Sequence, residues 1–407
     1  MAIELTPLPL PASADPSYFV DFGREVKGIN PGDLTPAQFT EIHDALYKVS
    51  SPIIFPRQFH VLSSFHPTAP PAWSSLVPQR CSHARTTICA HQGNLFSLYG
   101  LLALRHLTTT VQAFDPQSES YGHGNNKTQS TKKSILHPDL KTIPRVPQVQ
   151  LIGNGIVTDH EGLATAALKH PSHTTFHRTR ISEEDEAKGY TRFYRWHIDA
   201  ALYDYNPPRV TTLYGITVPK GDRQTVRYDD DTGDELPVPL GTTAFVSGKT
   251  MFEILPPELK SLAVRASVRY APHPYVWMAP ARALPTGLGI ESEGLELPTK
   301  ELPEWEESKI KTFPVVSRST VRKRERAENT ILKVWKNPVT GDLHFQVHPC
   351  GAQELIIEPV PAGANRSSAL YPDGAHIKEL AQVRALLYKM QRPAIAPQVS
   401  GANLHVR

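Results

Sequence analysis

The sequence contains only three cysteines in 407 residues, at positions 81, 89 and 350. So few cysteines cannot form a disulfide framework in a chain of this size, which favours a reducing, cytoplasmic location. The N-terminus lacks a positively charged start followed by an apolar run, so a secretory signal is not expected. No stretch approaches the roughly 20 apolar residues of a membrane-spanning helix, so we expect no association with a membrane.

The chain also lacks a strong charge of either sign, because its formal net charge is only +3. A nucleic-acid partner would favour a basic face or stripe, so none is expected. Hydrophobic residues make up 40% of the chain and charged residues 20%, which is typical of a globular protein. Prolines outnumber glycines, 38 against 24, which predicts many loops and favours a β-rich or α+β fold. None of these features indicates an oligomeric state.

Local patterns predict two helices and a series of short strands. Thr35 and Pro36 suit the start of a helix, with Gln38 placed for a capping box. A second amphipathic helix is predicted near Ile377 to Met390, because Ile377, Leu380, Val383, Leu387 and Met390 share a face at helical spacing. Strands are predicted at 52–55, 149–153, 192–203, 210–218, 224–228, 245–246, 262–270 and 275–277. Short strands separated by Pro- and Gly-rich turns are typical of a sandwich or jelly roll.

His197 and Asp199 form the most informative pair of side chains. On a strand, residues two apart point to the same side, so an imidazole and a carboxylate would share one face. Together they are two thirds of the 2-His-1-carboxylate set that binds Fe(II) and leaves other coordination positions open. A His-x-Asp pair is a weak signal alone, and His137 with Asp139 is a second example, but Pro138 disfavours an interior strand there.

The chain resembles the taurine/chlorophenoxyacetate dioxygenase (TauD/TfdA) family, and within it the branch that hydroxylates xanthine. The resemblance is loose over residues 18–47 and close over 114–398, apart from a run of basic residues at 317–333. It is carried by segments spread along the chain: 121–124, 134–140, 192–203, 206–213, 223–230, 240–245, 271–278 and 335–341.

The resemblance implies an α+β, mainly β fold: a double-stranded β-helix (jelly roll, clavaminate synthase-like) with peripheral helices. It implies Fe(2+) bound by His197 and Asp199, with 2-oxoglutarate and O2 as co-substrates. Thr225 matches the family's threonine that binds the 2-oxoglutarate carboxylate. Candidate substrate-binding residues are Lys169, Glu184, Asp185, Gln148 and Gln150. These five candidate substrate-binding residues, and Thr225 too, could equally be ordinary strand or surface residues.

The implied reaction couples decarboxylation of 2-oxoglutarate to hydroxylation of xanthine, giving uric acid, a step of purine catabolism. One alternative is a dioxygenase of the same family that acts on another small polar substrate, because substrate pockets change readily on one fold. Another alternative is a non-catalytic homologue. For both dioxygenase hypotheses, the expected binding partner is a small-molecule substrate.

Three segments depart from the family pattern, at 57–107, 317–334 and 399–407. The first lacks any sustained period and is predicted to be a disordered insertion. Its Cys81, His83, Cys89 and His91 have spacers shorter than common zinc modules use. The domains expected are an N-terminal part at 1–56, the insertion at 57–107 and a dioxygenase domain at 108–398, interrupted at 317–334 and followed by a non-matching tail.

The family's second iron histidine and its 2-oxoglutarate-binding arginine lie downstream of segments like 391–398, and no residue of 399–407 matches them. We therefore expect a chain that lacks the last strands of the fold and is inactive as written. Val-Ser occurs at 316–317 and at 399–400, and a typical splice-donor sequence read in frame encodes Val-Ser, so intron read-through is one hypothesis. A diverged protein is the alternative, and sequencing the mature transcript distinguishes the two.

Overall fold

The structure, a computed structural model, describes residues 3–19, 22–29, 34–48, 53–55, 59–63, 88–93, 141–144, 146–168, 176–196, 210–215, 219, 221–291, 295–316 and 340–400. These residues form four sheets with short helices between them. Within them, no helix has the length and apolar character needed to cross a membrane.

The largest sheet has eight strands, most of them contributed by the N-terminal half of the chain. They are β1 (Glu4–Pro7), β2 (Arg24–Lys27), β3 (Ile53–Phe55), β4 (Phe59–Ser63), β5 (Ile88–Gly93), β6 (Lys141–Ile143), β7 (Val146–Ile152) and β11 (Val210–Gly215). Their spatial order is β1-β2-β3-β4-β11-β5-β7-β6. Strands β2 and β3 run parallel, and the other neighbours run antiparallel.

Strands β4 and β5 both lie within 57–107, where the sequence predicts a disordered insertion. Each pairs antiparallel with β11, one on either side of it. Pairing across the sheet gives the main chain of 59–63 and 88–93 hydrogen-bond partners. That 57–107 is a disordered insertion stays a prediction.

Two smaller sheets and a hairpin complete the strands. A three-stranded sheet has the order β10 (Tyr190–Thr191), β12 (Gln224–Arg227), β13 (Glu235–Val238). A four-stranded antiparallel sheet has the order β15 (Thr312–Pro314), β14 (Ala266–Tyr270), β16 (Ala352–Ile357), β17 (Ala375–Ile377). Strands β8 (Gly155–His160) and β9 (Leu163–Leu168) pair only as a hairpin among the described residues.

The α-helices among the described residues have between 4 and 13 residues. They are α1 (Pro36–Lys48), α2 (Glu183–Ala187), α3 (Gly248–Glu253), α4 (Pro257–Arg265), α5 (Pro274–Trp277) and α6 (Leu380–Gln391). Single 3-10 turns lie at Pro16–Phe19, Thr299–Glu301, Glu307–Lys309, Pro349–Gly351 and Arg392–Ile395. Apolar residues of α4 and α6 pack with the four-stranded sheet in the largest core cluster, including Leu259, Leu262, Leu355 and Leu387.

Helix α1 begins as its sequence predicts. The Gln38 N–H donates to Thr35 Oγ1 at 3.3 Å, and the Thr35 N–H donates to Gln38 Oε1 at 2.9 Å. This reciprocal pair satisfies two N–H groups that the first helical turn leaves without a helical partner. The capping box is confirmed, as are α6 from Leu380 onward and the strands predicted near 53–55, 149–152, 210–215 and 224–227. Including Ile377 in that helix is wrong, because Ile377 belongs to β17 and pairs with Leu355 of β16.

Other strand predictions are wrong in whole or in part. Residues 192–196 follow the two-residue strand β10 without regular structure, and 197–203 lie outside the described residues. Leu262 belongs to α4, because Leu259, Leu262 and Ala263 bury one helical face and the strand starts only at Ala266. Residues 245–246 form no strand.

Residues 275–277 also form a helix, α5, instead of the predicted strand. His273 takes a left-handed conformation with φ 43°, and Pro274 occupies the first turn. Proline is favoured at that position because its missing N–H would have no helical partner there.

The chain on either side of 317–339 comes together. Val316 forms an antiparallel bridge with Phe345, and the Gln346 N–H donates to the Val315 carbonyl at 2.9 Å. Residues 317–339 and 401–407 lie outside the described residues, so the interruption at 317–334 and the tail stay predictions. The described residues have an α+β composition with several antiparallel sheets.

Candidate active site

Strand β12 separates a buried face from a polar face. Val226 and Tyr228 are buried with Leu236 and Leu288 in an apolar cluster. Because side chains alternate along a strand, Thr225 lies on the opposite face. The Thr225 N–H donates to the Gly189 carbonyl at 2.9 Å, and Thr225 stands opposite Tyr190 in the parallel register with β10. The candidate 2-oxoglutarate residue is thus half-buried beside the segment that leads to His197.

The segment 192–196, which precedes the predicted iron ligands, is held by a loop at 284–290. The Trp196 N–H donates to the Gly287 carbonyl at 3.0 Å, and the Trp196 indole N–H donates to the Thr286 carbonyl at 3.1 Å. The Phe193 ring packs edge-on against Tyr228, with centroids 5.5 Å apart. Both ends of this segment are therefore tied to the core, although His197 and Asp199 themselves lie outside the described residues.

Asp185 lies on α2 and reaches the polar face of β12. The side chain of Ser182 caps this helix by accepting from the Asp185 N–H at 3.1 Å. Arg227 Nη1 donates to Asp185 Oδ2 at 3.0 Å. This hydrogen bond holds the pKa of the Asp185 carboxyl below its usual range.

Glu184 is not drawn into the same contact. Its carboxylate pairs with Lys188 at 2.6 Å, one helical turn away, and remains largely exposed. The main chain of Gln148 and Gln150 lies in β7, and Gln150 is in register with Ala90 of β5 and Thr142 of β6. Lys169 follows β9 directly and lies outside the described residues. Asp185 is the candidate substrate residue whose side chain contacts Thr225's strand in the described part of the chain, through Arg227.

A chain of ion pairs that was missed in the sequence runs from Asp185 toward the iron-ligand segment. Arg227 Nε lies 2.6 Å from Asp229 Oδ1, while Arg192 Nε donates to Asp229 Oδ2 at 2.7 Å. Arg192 is buried and also donates to the Thr179 carbonyl. Arg227 follows Thr225 by two residues, so strand alternation could have placed the two on one face.

Arg392 forms a second missed cluster in the turn between β12 and β13. Its guanidinium donates to the Asp230 carboxylate, to Thr232 Oγ1 at 2.9 Å and to Asp234 Oδ2 at 2.7 Å. It also stacks over the Tyr228 ring, 4.7 Å from the centroid. The residue lies 162 positions beyond Asp230, so no local pattern could have indicated this pairing.

Burial and hydrogen bonding act in opposite directions on Asp230. Burial opposes its ionisation, but hydrogen bonds from Arg392, Thr232 and Tyr388 outweigh that effect and hold the pKa of Asp230 well below its usual range. The Tyr388 hydroxyl donates to Asp230 Oδ2 at 2.7 Å, and burial raises the pKa of Tyr388 to about 12. At neutral pH, Asp230 is a carboxylate.

No group of three or more His, Cys, Asp or Glu side chains suited to a metal ion lies among the residues that the structure describes. The predicted donors His197 and Asp199 fall outside that part of the chain. A neutral imidazole and a carboxylate are suitable donors for Fe(II), and Thr225 beside their approach adds a hydroxyl suited to a carboxylate co-substrate.

Comparison with known proteins gives a consistent result. Residues 155–394 match the family described as "Taurine catabolism dioxygenase TauD, TfdA family". Three fungal proteins named alpha-ketoglutarate-dependent xanthine dioxygenase are similar to the chain. The protein of Schizosaccharomyces pombe is 43% identical over 97% of this chain and 78% of its own length. That of Emericella nidulans is 43% identical over 98% and 85%. That of Neurospora crassa is 47% identical over 77% and 68%.

The family match covers more than half of the chain, including α2, β12, the 284–290 loop and Arg392. The resemblance inferred from the sequence is confirmed, and the chain belongs to the TauD/TfdA family of dioxygenases.

Proposed function

We propose that this chain is an Fe(II)- and 2-oxoglutarate-dependent dioxygenase that hydroxylates xanthine to uric acid. The inactivity expected from its sequence stays a prediction, which the assay described below tests. The identity of 43% to proteins named xanthine dioxygenase, over 97–98% of the chain, carries this proposal. The structure also supports it, because Thr225 lies in β12 and Asp185 contacts Arg227 of the same strand. We also infer the double-stranded β-helix of the family and, from the three cysteines, a cytoplasmic location.

His197 and Asp199 would hold the iron, which supplies oxygen activation coupled to decarboxylation of 2-oxoglutarate. Thr225 would donate its hydroxyl to the 2-oxoglutarate carboxylate. The buried partners of Phe193 and Trp196 would keep water from the approach to the metal and hold the ligand segment in one position.

Asp185 would recognise the purine. Xanthine presents ring N–H donors and carbonyl acceptors, and an ionised carboxylate accepts an N–H strongly. Lys169 would donate to a purine carbonyl, with Glu184, Gln148 and Gln150 as further polar partners. A purine bound in this way is oriented by hydrogen bonds on its edges, as a small polar ligand in a protein pocket generally is.

The test is to incubate the protein with Fe(II), ascorbate, 2-oxoglutarate and xanthine, and to measure succinate and uric acid. We expect equal amounts of both products. Succinate formed with another substrate but not with xanthine would support a different specificity within the family. The complete lack of substrate-dependent succinate in protein that binds Fe(II) would support the non-catalytic reading.

A further inference from the structure

Arg227 stands between two carboxylates on the polar face of β12. It binds Asp185 Oδ2 through Nη1 at 3.0 Å and Asp229 Oδ1 through Nε at 2.6 Å. Its guanidinium also lies over the Tyr190 ring, 5.1 Å from the centroid. Contacts in three directions fix the plane of the guanidinium, which a planar fork allows and an ammonium group does not.

The next link extends this arrangement toward the iron-ligand segment. Asp229 also binds Arg192, whose side chain is 4% exposed, against 24% for Asp229 and 27% for both Arg227 and Asp185. Charges therefore alternate from a partly exposed end at Asp185 to a buried end at Arg192. Arg192 is five residues before His197, so the buried end lies on the segment that carries the predicted iron ligands.

Asp185 depends on such a contact for its orientation. Helix α2 has only five residues, and isolated helices need roughly 12 or more to be even marginally stable. The Ser182 cap fixes the start of the helix, and the Arg227 hydrogen bond fixes the carboxylate against the sheet. A carboxylate accepts about four hydrogen bonds, so Asp185 can bind Arg227 and a ligand N–H together.

We propose that Arg227 is a positioning residue for substrate: it orients the Asp185 carboxylate toward the purine and ties it, through Asp229 and Arg192, to the segment that leads to the iron. This inference rests on the proposed function, because it takes Asp185 as a purine-binding residue. It adds a residue that acts through Asp185 and does not touch the substrate itself.

A double-mutant cycle tests the proposal by xanthine affinity and by KM and kcat for xanthine. The variants are Arg227→Gln, Asp185→Asn and the double variant, with Arg227→Lys as the conservative change. Arg269→Gln is the matched control, because Arg269 also bridges two carboxylates, Glu354 and Glu307, but in the four-stranded sheet.

We expect Arg227→Gln to weaken xanthine binding roughly tenfold, within the range of coupling between contacting residues. KM for xanthine should rise far more than kcat falls, and KM for 2-oxoglutarate should stay near that of the wild type. The double variant should be no weaker than Asp185→Asn alone, since Arg227 acts through that carboxylate. Arg227→Lys should recover part of the loss, and Arg269→Gln should bind xanthine normally.

Two results would overturn the inference alone: normal xanthine affinity in Arg227→Gln beside a weakened Asp185→Asn, or full additivity in the double variant. Wild-type protein that neither binds nor turns over xanthine would instead overturn the proposed function, and the inference would fall with it. Normal xanthine affinity in Asp185→Asn would overturn the purine role of Asp185 and, with it, the positioning role of Arg227.

Discussion

Thr225 has its main chain fixed on both sides and its side chain on the polar face. It pairs with Tyr190 of β10 on one side and with Pro237 of β13 on the other. A hydroxyl on a backbone held in this way loses little further freedom when it binds a ligand. That preorganisation suits a residue proposed to bind a carboxylate.

We expect Thr225→Ala to raise KM for 2-oxoglutarate roughly tenfold or more, because a hydrogen bond to a charged group contributes about 1.5–3 kcal/mol. Thr225→Ser keeps the hydroxyl and should retain most of the affinity. Steady-state kinetics at varied 2-oxoglutarate concentration measure both variants. If the serine variant is as impaired as the alanine variant, the hydroxyl is not the determinant.

Asp230 gives a prediction about pH. Its folded-state pKa is lowered from 3.8, so its contribution to stability is complete above that value and is lost as pH falls through the lower, folded-state pKa. We expect Asp230→Asn to be less stable than the wild type at neutral pH, with the difference shrinking in acid. Urea unfolding at several pH values measures this difference. Asp231→Asn, at the exposed neighbouring position, is the control, because such surface substitutions usually change stability by less than about 0.5 kcal/mol.

The loop at 284–290 is the element that supports the approach to the predicted iron ligands. Gly287 has φ +71°, a left-handed conformation that favours glycine. A Cβ at this position would stand 2.8 Å from the Phe193 carbonyl oxygen. The loop can therefore approach segment 192–196 this closely because residue 287 has no side chain.

We expect Gly287→Ala to lower the free energy of unfolding by about 2 kcal/mol, through strain at positive φ and the contact with Phe193. It should also weaken Fe(II) binding, because the segment leading to His197 must shift. Gly363→Ala is the matched control, since its φ is +82° but a Cβ would have nothing within 4 Å. Equal Fe(II) affinity in both variants would contradict the role given to this loop.

Elements whose determinants are local could be predicted, and elements set by context could not. The start of helix α1 could be predicted because its determinants, Thr35, Pro36 and Gln38, lie within one helical turn. Residues 275–277 have the composition of a strand, but the left-handed His273 and the following proline turn the chain into a helix. Propensity is a weak guide for such short segments because tertiary context overrides it.

At the scale of the whole molecule, Arg392 connects parts of the chain that are far apart in sequence. It follows α6 directly and binds the turn between β12 and β13, while the Tyr228 hydroxyl donates to the Ile395 carbonyl. The end of α6 is thus joined to the strand that carries Thr225. These hydrogen bonds and ion pairs directly connect the proposed co-substrate site to the C-terminal part of the described chain.

We expect Arg392→Ala to destabilise the protein by roughly 3 kcal/mol, because it leaves a largely buried Asp230 carboxylate without its cation. Arg392→Lys should recover only part of this, since lysine cannot reproduce the fork of hydrogen bonds. Urea unfolding gives the free energies. Arg366→Ala, which breaks the exposed pair with Asp373, should cost less than about 1 kcal/mol. Similar losses in the two alanine variants would contradict this assignment.

The candidate site shows the same division between local and distant information. His197, Asp199 and Thr225 could be proposed from sequence because a family pattern surrounds each of them. The partners of Asp185 and Asp230 could not, because Arg227 and Arg392 meet them only after the sheet has formed. Ion pairs across 42 and 158–162 residues carry no periodic signal along the chain.

The alternation along β12 has a consequence for how this sequence can change. From Thr225 to Tyr228, the side chains of Val226 and Tyr228 are buried in the core, and those of Thr225 and Arg227 have proposed roles at the site, so each of these four positions is constrained. A one-residue insertion before it would exchange the two sets and lose both at once. In a saturation mutagenesis experiment the four positions from Thr225 to Tyr228 should tolerate few replacements, whereas exposed Lys300 should accept many.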